Sequence, residues 1–287
     1  MILSFASGKG GTGKTLLATN LAWMLSKRGP ATYVDADVEE PNGHLFLKHK
    51  TARLERVAVA LPKLQGSCTG CGVCQKVCAF HAILALKDRV MVFPELCHSC
   101  GACVIACPER ALVETPHEIG SISRAHLGDL QLLSGRLDVG QARATPLVEA
   151  VVEAATREHE GELVIVDSPP GTSCSAMAAV RRADLVVLVT EPTPFGLNDL
   201  KLAVEMCRAL KRDVVAVVNR SDLGDQEVAL YLEREGIPTL GQLPFHRSIA
   251  TAYAQGQLAV GRSAKLRTVL DAIIAYCDDR TFEGRTP

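Results

Sequence analysis

Eight residues near the start, Gly8, Lys9, Gly10, Gly11, Thr12, Gly13, Lys14 and Thr15, satisfy G-x-x-x-x-G-K-S/T. Glycines there let backbone N–H groups wrap phosphate oxygens that larger side chains would obstruct. Lys14 then faces the β- and γ-phosphates, and the Thr15 hydroxyl is a Mg²⁺ ligand. A helix starting at Thr15 turns its partial positive end to the same anion. The bland alternative is a glycine-rich turn with an incidental Lys-Thr pair, but an apolar run before the loop and a helical pattern after it are the context the motif demands. A second set of residues carries different chemistry. Cys68, Cys71, Cys74 and Cys78 form C-x2-C-x2-C-x3-C, and Cys97, Cys100, Cys103 and Cys107 repeat that spacing, followed by Pro108. Two-residue spacers let three thiolates converge on one inorganic cluster, and the three-residue step carries the fourth away. Two C-x2-C pairs alone would fit a zinc ribbon, whereas two identical four-cysteine runs exceed what zinc needs.

The elements that position these groups can be read from hydrophobic patterning. Residues 2–5 form a short apolar strand into the loop, 15–27 a helix stopped by Gly29 and Pro30, and 31–34 a strand running into Asp35-Ala36-Asp37. Strand, glycine loop, helix and strand begin a parallel βαβ unit. The alternation breaks between about 61 and 116, where the eight cysteines lie among short extended pieces, including a hairpin of 83–86 with 90–93. A glycine- and leucine-bearing linker is expected after Pro116, then a helix over 146–159. Strands follow at 163–166, 185–189, 214–218 and 239–243, with helices at 195–210, 225–235, 247–254 and 265–277. Their Val/Leu/Ile runs lack polar alternation, as in strands covered on both faces. The expected fold class is α/β: a doubly wound, mainly parallel sheet of P-loop NTPase type (1–60 and 117–287), interrupted by a small α+β domain (61–116) with a duplicated half.

Length and composition agree. The 287 residues suggest about two domains. Hydrophobic residues make up 47% and charged residues 22%, which suits a globular protein with a real core. Lys plus Arg number 31 against 32 for Asp plus Glu, leaving no bulk attraction for nucleic acid or anionic lipid. No apolar run approaches the ~20 residues of a membrane span, and the first residues lack the basic region of a signal peptide. A cytoplasmic protein is expected. Eleven cysteines in such a reducing compartment point to metal rather than disulfides.

Lys9, just after the first glycine, makes the loop resemble the deviant Walker motif of MinD/ParA-like ATPases, a group that includes Mrp-type cluster carriers and the nitrogenase iron protein. The resemblance covers essentially the whole chain. It implies an ATPase in which Lys9 reaches across a homodimer seam to the partner's nucleotide; the bland reading is a solvated loop lysine. It implies that Asp37 orients the attacking water near the metal, with Asp35 in support. Asp167, in Asp167-Ser168-Pro169-Pro170-Gly171, would hold Mg²⁺ through water, and the Gly171 N–H would approach the γ-phosphate. Asn219 would read adenine, although Asn after a strand is also a common turn residue. Leu243-Pro244-Phe245 would be a base-contacting loop, with His246 standing where relatives usually have aspartate.

The cysteine runs resemble a bacterial two-cluster ferredoxin, in which the fourth cysteine of each run ligates the other [4Fe–4S] cluster. That implies one cluster on Cys68, Cys71, Cys74 and Cys107, and another on Cys97, Cys100, Cys103 and Cys78. Ala79 stands where relatives usually have proline. Cys207 and Cys277 read as small buried hydrophobes on helices, and Cys174 as a lone thiol near the Asp167 loop. The implied cofactors are ATP, Mg²⁺ and two [4Fe–4S] clusters, and the implied partners a second copy and a redox or iron–sulfur protein. Two functions follow: nucleotide-gated electron delivery from the clusters to a partner metalloprotein, or assembly and hand-over of a cluster. A MinD-like spatial regulator fits less well, since residues 278–287 hold no lysine cluster for lipid. Carboxylate-activating ligases of the same fold have no evident use for two clusters.

Overall fold

The computed structural model describes residues 1–158 and 162–283, with side chains through 280. His159, the expected end of one helix, and residues 284–287 of the tail lie outside the described residues. The chain divides into two units, one of residues 1–54, 122–136 and 148–287, the other of residues 55–121 and 137–147.

In chain order the elements are β1 (Ile2–Ala6), α1 (Lys14–Leu25), β2 (Ala31–Asp35), a 3-10 turn (Gly43–Leu45), β3 (Arg53–Leu64), α2 (Val73–Lys76), β4 (Ile83–Ala85) and β5 (Val90–Val92). They continue with α3 (Ala102–Ile105), β6 (Leu112–Leu127), β7 (Leu130–Leu137), α4 (Thr145–Glu158), β8 (Leu163–Asp167), α5 (Cys174–Val180) and β9 (Leu185–Thr190). The last are α6 (Pro194–Ala209), β10 (Asp213–Asn219), α7 (Glu227–Arg234), β11 (Thr239–Leu243), α8 (Arg247–Ala254) and α9 (Ala264–Glu283).

The first unit is built on the strand order β11-β10-β9-β1-β8-β2-β7-β6. Every pairing from β11 through β7 is parallel. Alternate strand residues feed two separate cores. Phe5, Ile165, Val187 and Val217 pack with Leu17 and Leu21 of α1 and Leu270 and Ile273 of α9. Val186, Leu188, Ala216 and Val218 pack with Val180 of α5, Leu200 and Val204 of α6, and Leu232 of α7. Both sheet faces are therefore covered, which is why these strands are apolar throughout. Because the strands are parallel, the loops after β1, β2, β8 and β10 open at one end of the sheet, where α/β folds bind ligands.

The linker expected after Pro116 is instead structured. Residues 112–127 form one long strand, β6, which turns at Gly128 and Asp129 into β7. Gly128 has φ +63°, and Gly-Asp between Leu127 and Leu130 is a two-residue hairpin signal that patterning alone had obscured. Helix α5 was also not foreseen: seven residues of mostly Ala and Ser carry little periodic signal.

The second unit holds all eight clustered cysteines and is larger than 61–116. It gains residues 55–60 because β3 runs from Arg53 and is hydrogen-bonded to β6. Its hairpin pairs Ile83 with Val92 and Ala85 with Val90. The two halves repeat backbone as well as sequence: left-handed residues recur 29 positions apart at Gly70 and Ser99, Gly72 and Gly101, His81 and Arg110. Cysteines recur with the same offset, as Cys68 and Cys97 do. Among the described residues no helix is long and apolar enough to cross a membrane.

Candidate functional site

At the open end of the parallel sheet lies a cavity of about 460 Å³, in the range of small-molecule sites. Gly10, Gly11, Gly13, Lys14, Thr15, Asp37, Asn219 and Pro244 line it. Gly8, Lys9 and Thr12 lie instead beside Gly196, Asp199 and Leu200 of α6. Lys14 opens α1 and is only 7% exposed, its Nζ donating to Ser7 Oγ at 2.9 Å. Burial lowers its pKa, and Asp167 and Asp37 oppose that shift. An ammonium so sequestered is short of counter-charge, which a phosphate would supply.

Beneath the loop are two buried carboxylates at the ends of adjacent strands. Asp35 and Asp167 are register partners on β2 and β8. Asp35 Oδ2 accepts from Gly43 N at 2.8 Å, and Asp167 Oδ2 from Tyr33 Oη at 3.0 Å. Burial pushes the Asp167 pKa up to about 6, against the pull of Thr15 and Lys14. Burial and then Asp167 push Asp35 well above the usual carboxylate range. Asp37, half-buried, is raised by burial and lowered by Lys14. Asp167 Oδ1 and Asp35 Oδ1 are buried without hydrogen-bond partners. The free Asp167 oxygen near the Thr15 hydroxyl, with Asp37 lining the cavity beside Thr15, is a hard donor set that fits Mg²⁺ and its water shell.

At the far end, Asn219 Nδ2 donates to Thr12 O at 2.8 Å, and its Oδ1 accepts from Arg220 N at 3.0 Å. The amide thus ties β10 to the glycine loop while lining the cavity. Leu243, Pro244, Phe245, Ile249 and Tyr253 add an apolar wall. Leu243, Pro244 and Phe245 are the expected base-contacting loop, whereas Ile249 and Tyr253 were not foreseen, although they stand four apart on one face of the expected helix 247–254.

In the second unit the runs exchange their last cysteines. Cys107 borders the same hollow as Cys68, Cys71 and Cys74, and Cys78 the same hollow as Cys97, Cys100 and Cys103. Burial raises the Cys74 pKa, with Cys68, Cys107 and Cys71 adding to it, and pushes Cys103 up to about 11, with Cys97 and Cys100 adding to it. Backbone N–H groups of Ala82 and Ala111 donate to Cys78 Sγ and Cys107 Sγ at 3.3 and 3.4 Å, and Gly70 N to Cys68 Sγ at 3.4 Å. Left-handed His81 and Arg110 immediately precede two of these donors. Among the described residues no three of His, Cys, Asp or Glu stand close enough to hold a single metal ion, so each set rings a hollow instead of meeting at a point. Hollows ringed by four soft thiols, with amides directed at the sulfurs, fit iron–sulfur clusters.

A family model described as the CobQ/CobB/MinD/ParA nucleotide binding domain matches residues 3–260. The chain belongs to that family. It is a P-loop ATPase of the MinD/ParA type. An uncharacterized protein of Methanocaldococcus jannaschii is 31% identical over 226 residues, 78% of this chain and 80% of its own. The iron–sulfur cluster carrier protein of Pyrococcus abyssi is 26% identical over 259 residues, 83% of this chain and 72% of its own. Among solved structures, the septum site-determining protein MinD of Pyrococcus horikoshii, in complex with Mg-ADP, superposes with a TM-score of 0.58 at 18% identity. That match covers 94% of this chain and 93% of the MinD chain.

Within this MinD/ParA-type ATPase, Gly171 departs from the role the resemblance implied, and Lys9 and His246 make contacts within the chain. Lys9 Nζ is paired with Glu191 Oε2 at 3.2 Å, and Arg220 holds the other oxygen of that carboxylate at 2.8 Å. Lys9 must leave Glu191 before it can serve another subunit. The Gly171 N–H donates to Ser7 O at 2.9 Å, so it is turned to its own chain and not to the cavity. His246 occupies the N-cap of α8, where its Nδ1 accepts from Ser248 N at 3.3 Å. A cap needs an acceptor, and imidazole supplies one in place of the usual carboxylate. Of the remaining thiols, Cys174 is exposed while Cys207 and Cys277 are buried, with pKa values pushed up to about 12 and about 11 by burial.

Proposed function

We propose that this ATPase carries two [4Fe–4S] clusters on its second unit and that its nucleotide state governs electron delivery from them to a partner metalloprotein. The observation that carries the reading is the exchange of Cys78 and Cys107 between the two thiol sets. It gives each hollow four cysteines, so both clusters would be resident, with no ligand position left open for release. Cys68, Cys71, Cys74 and Cys107 hold one, and Cys97, Cys100, Cys103 and Cys78 the other. When bound, the pair supplies one-electron storage and transfer. The residues on the ATPase unit bind the triphosphate through Lys14 and the loop amides, hold Mg²⁺ through Thr15, Asp37 and Asp167, and read the base through Asn219 and Pro244. The donor is a low-potential one-electron reductant, and each electron passed on reoxidises the chain by one.

ATP would also favour a homodimer in which Lys9, released from Glu191, faces the partner's phosphates. The chain leaves the Asp35–Asp37 loop and enters the cysteine-bearing unit at residue 55, so a change at that loop has a short covalent route to it.

A second reading, transfer of a cluster to an acceptor, is favoured by the likeness to a named cluster carrier. Anaerobic incubation of the loaded, reduced protein with an apo-acceptor separates the two. Electron delivery predicts constant iron on this chain, about eight atoms, while a redox acceptor is reduced. Iron that moves quantitatively to the acceptor would support the carrier reading instead.

A further inference from the structure

The buried hydroxyl of Tyr33 is left without a role by the nucleotide-binding residues described above. It stands on β2, two residues before Asp35, and its neighbour across the sheet is Ile165, two before Asp167. Tyr33 and Asp167 are therefore diagonal neighbours on one sheet face, a distance that aromatic side chains can span. The ring is embedded in the core with Phe5, Leu17 and Ile165 and is 1% exposed. Its Oη donates to Asp167 Oδ2 at 3.0 Å, while Asp167 Oδ1 is buried with no partner.

The ring is held from the other side as well. A Cβ on Gly43 would meet Tyr33 Oη at 2.4 Å and Cε1 at 2.6 Å, so the backbone after the Asp35–Asp37 loop closes directly on the hydroxyl. The same Gly43 sends its N–H to Asp35 Oδ2 at 2.8 Å, and Ala36 N donates to Asp167 O at 3.0 Å. One rigid aromatic thus braces both carboxylate-bearing strand ends, and it engages only one of the two Asp167 oxygens.

We propose that Tyr33 is a positioning residue for ATP hydrolysis: its hydroxyl fixes the carboxylate rotation of Asp167 so that Oδ1 alone faces the magnesium's water shell. This rests on the assignment of Asp167 to that shell. A carboxylate turns easily about its terminal bond, since such torsions are broad and two-fold. The hydrogen bond from a ring that cannot itself move removes that freedom. Tyr33→Phe deletes the hydroxyl and keeps the packing.

The test measures binding of a non-hydrolysable ATP analogue by calorimetry with and without Mg²⁺, and steady-state ATP hydrolysis, on the full cluster-loaded chain. For Tyr33→Phe the affinity without Mg²⁺ stays within about twofold. The gain in affinity on adding Mg²⁺ shrinks, and kcat falls, each by about tenfold, the lower end of what a hydrogen bond to a charged group is worth. KM for Mg-ATP rises in step with the lost Mg²⁺-dependent affinity, since slow chemistry makes KM a dissociation constant. Asp167→Asn runs in parallel. If it leaves the Mg²⁺ gain intact, the Asp167 assignment falls and this inference with it. If Asp167→Asn abolishes the gain but Tyr33→Phe does not alter it, the role of Tyr33 alone is overturned. A Tyr33→Phe protein that loses affinity equally with and without Mg²⁺, in step with a lowered melting temperature, would make the tyrosine structural and would also overturn the proposal.

Discussion

Replacing Gly13 by alanine should damage the glycine loop in two separable ways. Gly13 sits at φ +103°, where a Cβ is strained by about 1–2 kcal/mol, and that Cβ would lie 2.6 Å from Asn219 Nδ2. Asn219 must yield, and its bond to Thr12 O would be lost, another 0.5–1.5 kcal/mol or so. Gly11 separates the two effects: at φ +78° it has nothing within 4 Å of its Cβ, so Gly11→Ala carries the strain alone. Gly29, with open space and no positive φ, is the control that should be nearly neutral. The assay is calorimetric melting of the nucleotide-free protein, with Gly13→Ala placed in wild-type and Asn219→Ala backgrounds. The expected cost is about 2–3 kcal/mol in wild type and about 1 kcal/mol less once Asn219 is gone, a recovery of about 2–4 °C for a chain of this size. An identical cost in both backgrounds, or a Gly13→Ala protein no less stable than Gly11→Ala, would refute the steric link between loop and strand.

Three further outcomes are expected. Cys78→Ser, although in the first run, should abolish the EPR signal of the cluster held by Cys97, Cys100 and Cys103 and spare the other, and Cys107→Ser should do the reverse. Asp167 is raised to about 6 in the folded protein and titrates near 4 when unfolded, so the native state holds a proton that the unfolded chain has released across that window. Stability of the nucleotide-free protein should therefore fall as pH rises from about 4 to about 6, and Asp167→Asn should flatten that slope in melts taken across the range. His246→Ala should lower the melting temperature through loss of the α8 cap, by a contribution near the weak end of about 0.5–2 kcal/mol because the bond is long, whereas His246→Asp should preserve it.

Much of the parallel sheet was legible because burial on both faces leaves unbroken runs such as Leu185–Thr190, and because Gly and Pro punctuate the helices. The glycine loop was legible because its chemistry constrains eight consecutive residues. The exchange of Cys78 and Cys107 was legible from the three-residue step that carries each fourth thiol away from its own run, together with the likeness to ferredoxins that says where it goes. Strand β6 was missed because Pro116 reads as the end of the cysteine-rich stretch and the glycines and leucines after it as linker, whereas pairing with β3 and β7 supplies what local propensity does not. Tyr33 and Glu191 left no local mark either, and Tyr253 left no more than its spacing of four from Ile249. Their partners Asp167, Lys9 and Phe46 lie 134, 182 and 207 residues away, and only the folded chain brings them together.

The coupling between nucleotide and clusters is tested most directly by a reductive titration of the anaerobically isolated protein, followed by EPR, without nucleotide, with Mg-ADP and with a Mg-bound non-hydrolysable ATP analogue. Two four-iron signals per chain are expected, with midpoint potentials that differ between the nucleotide states and a difference abolished by Lys14→Ala. Potentials that coincide in all three conditions, in a protein that demonstrably binds the nucleotides, would contradict that coupling.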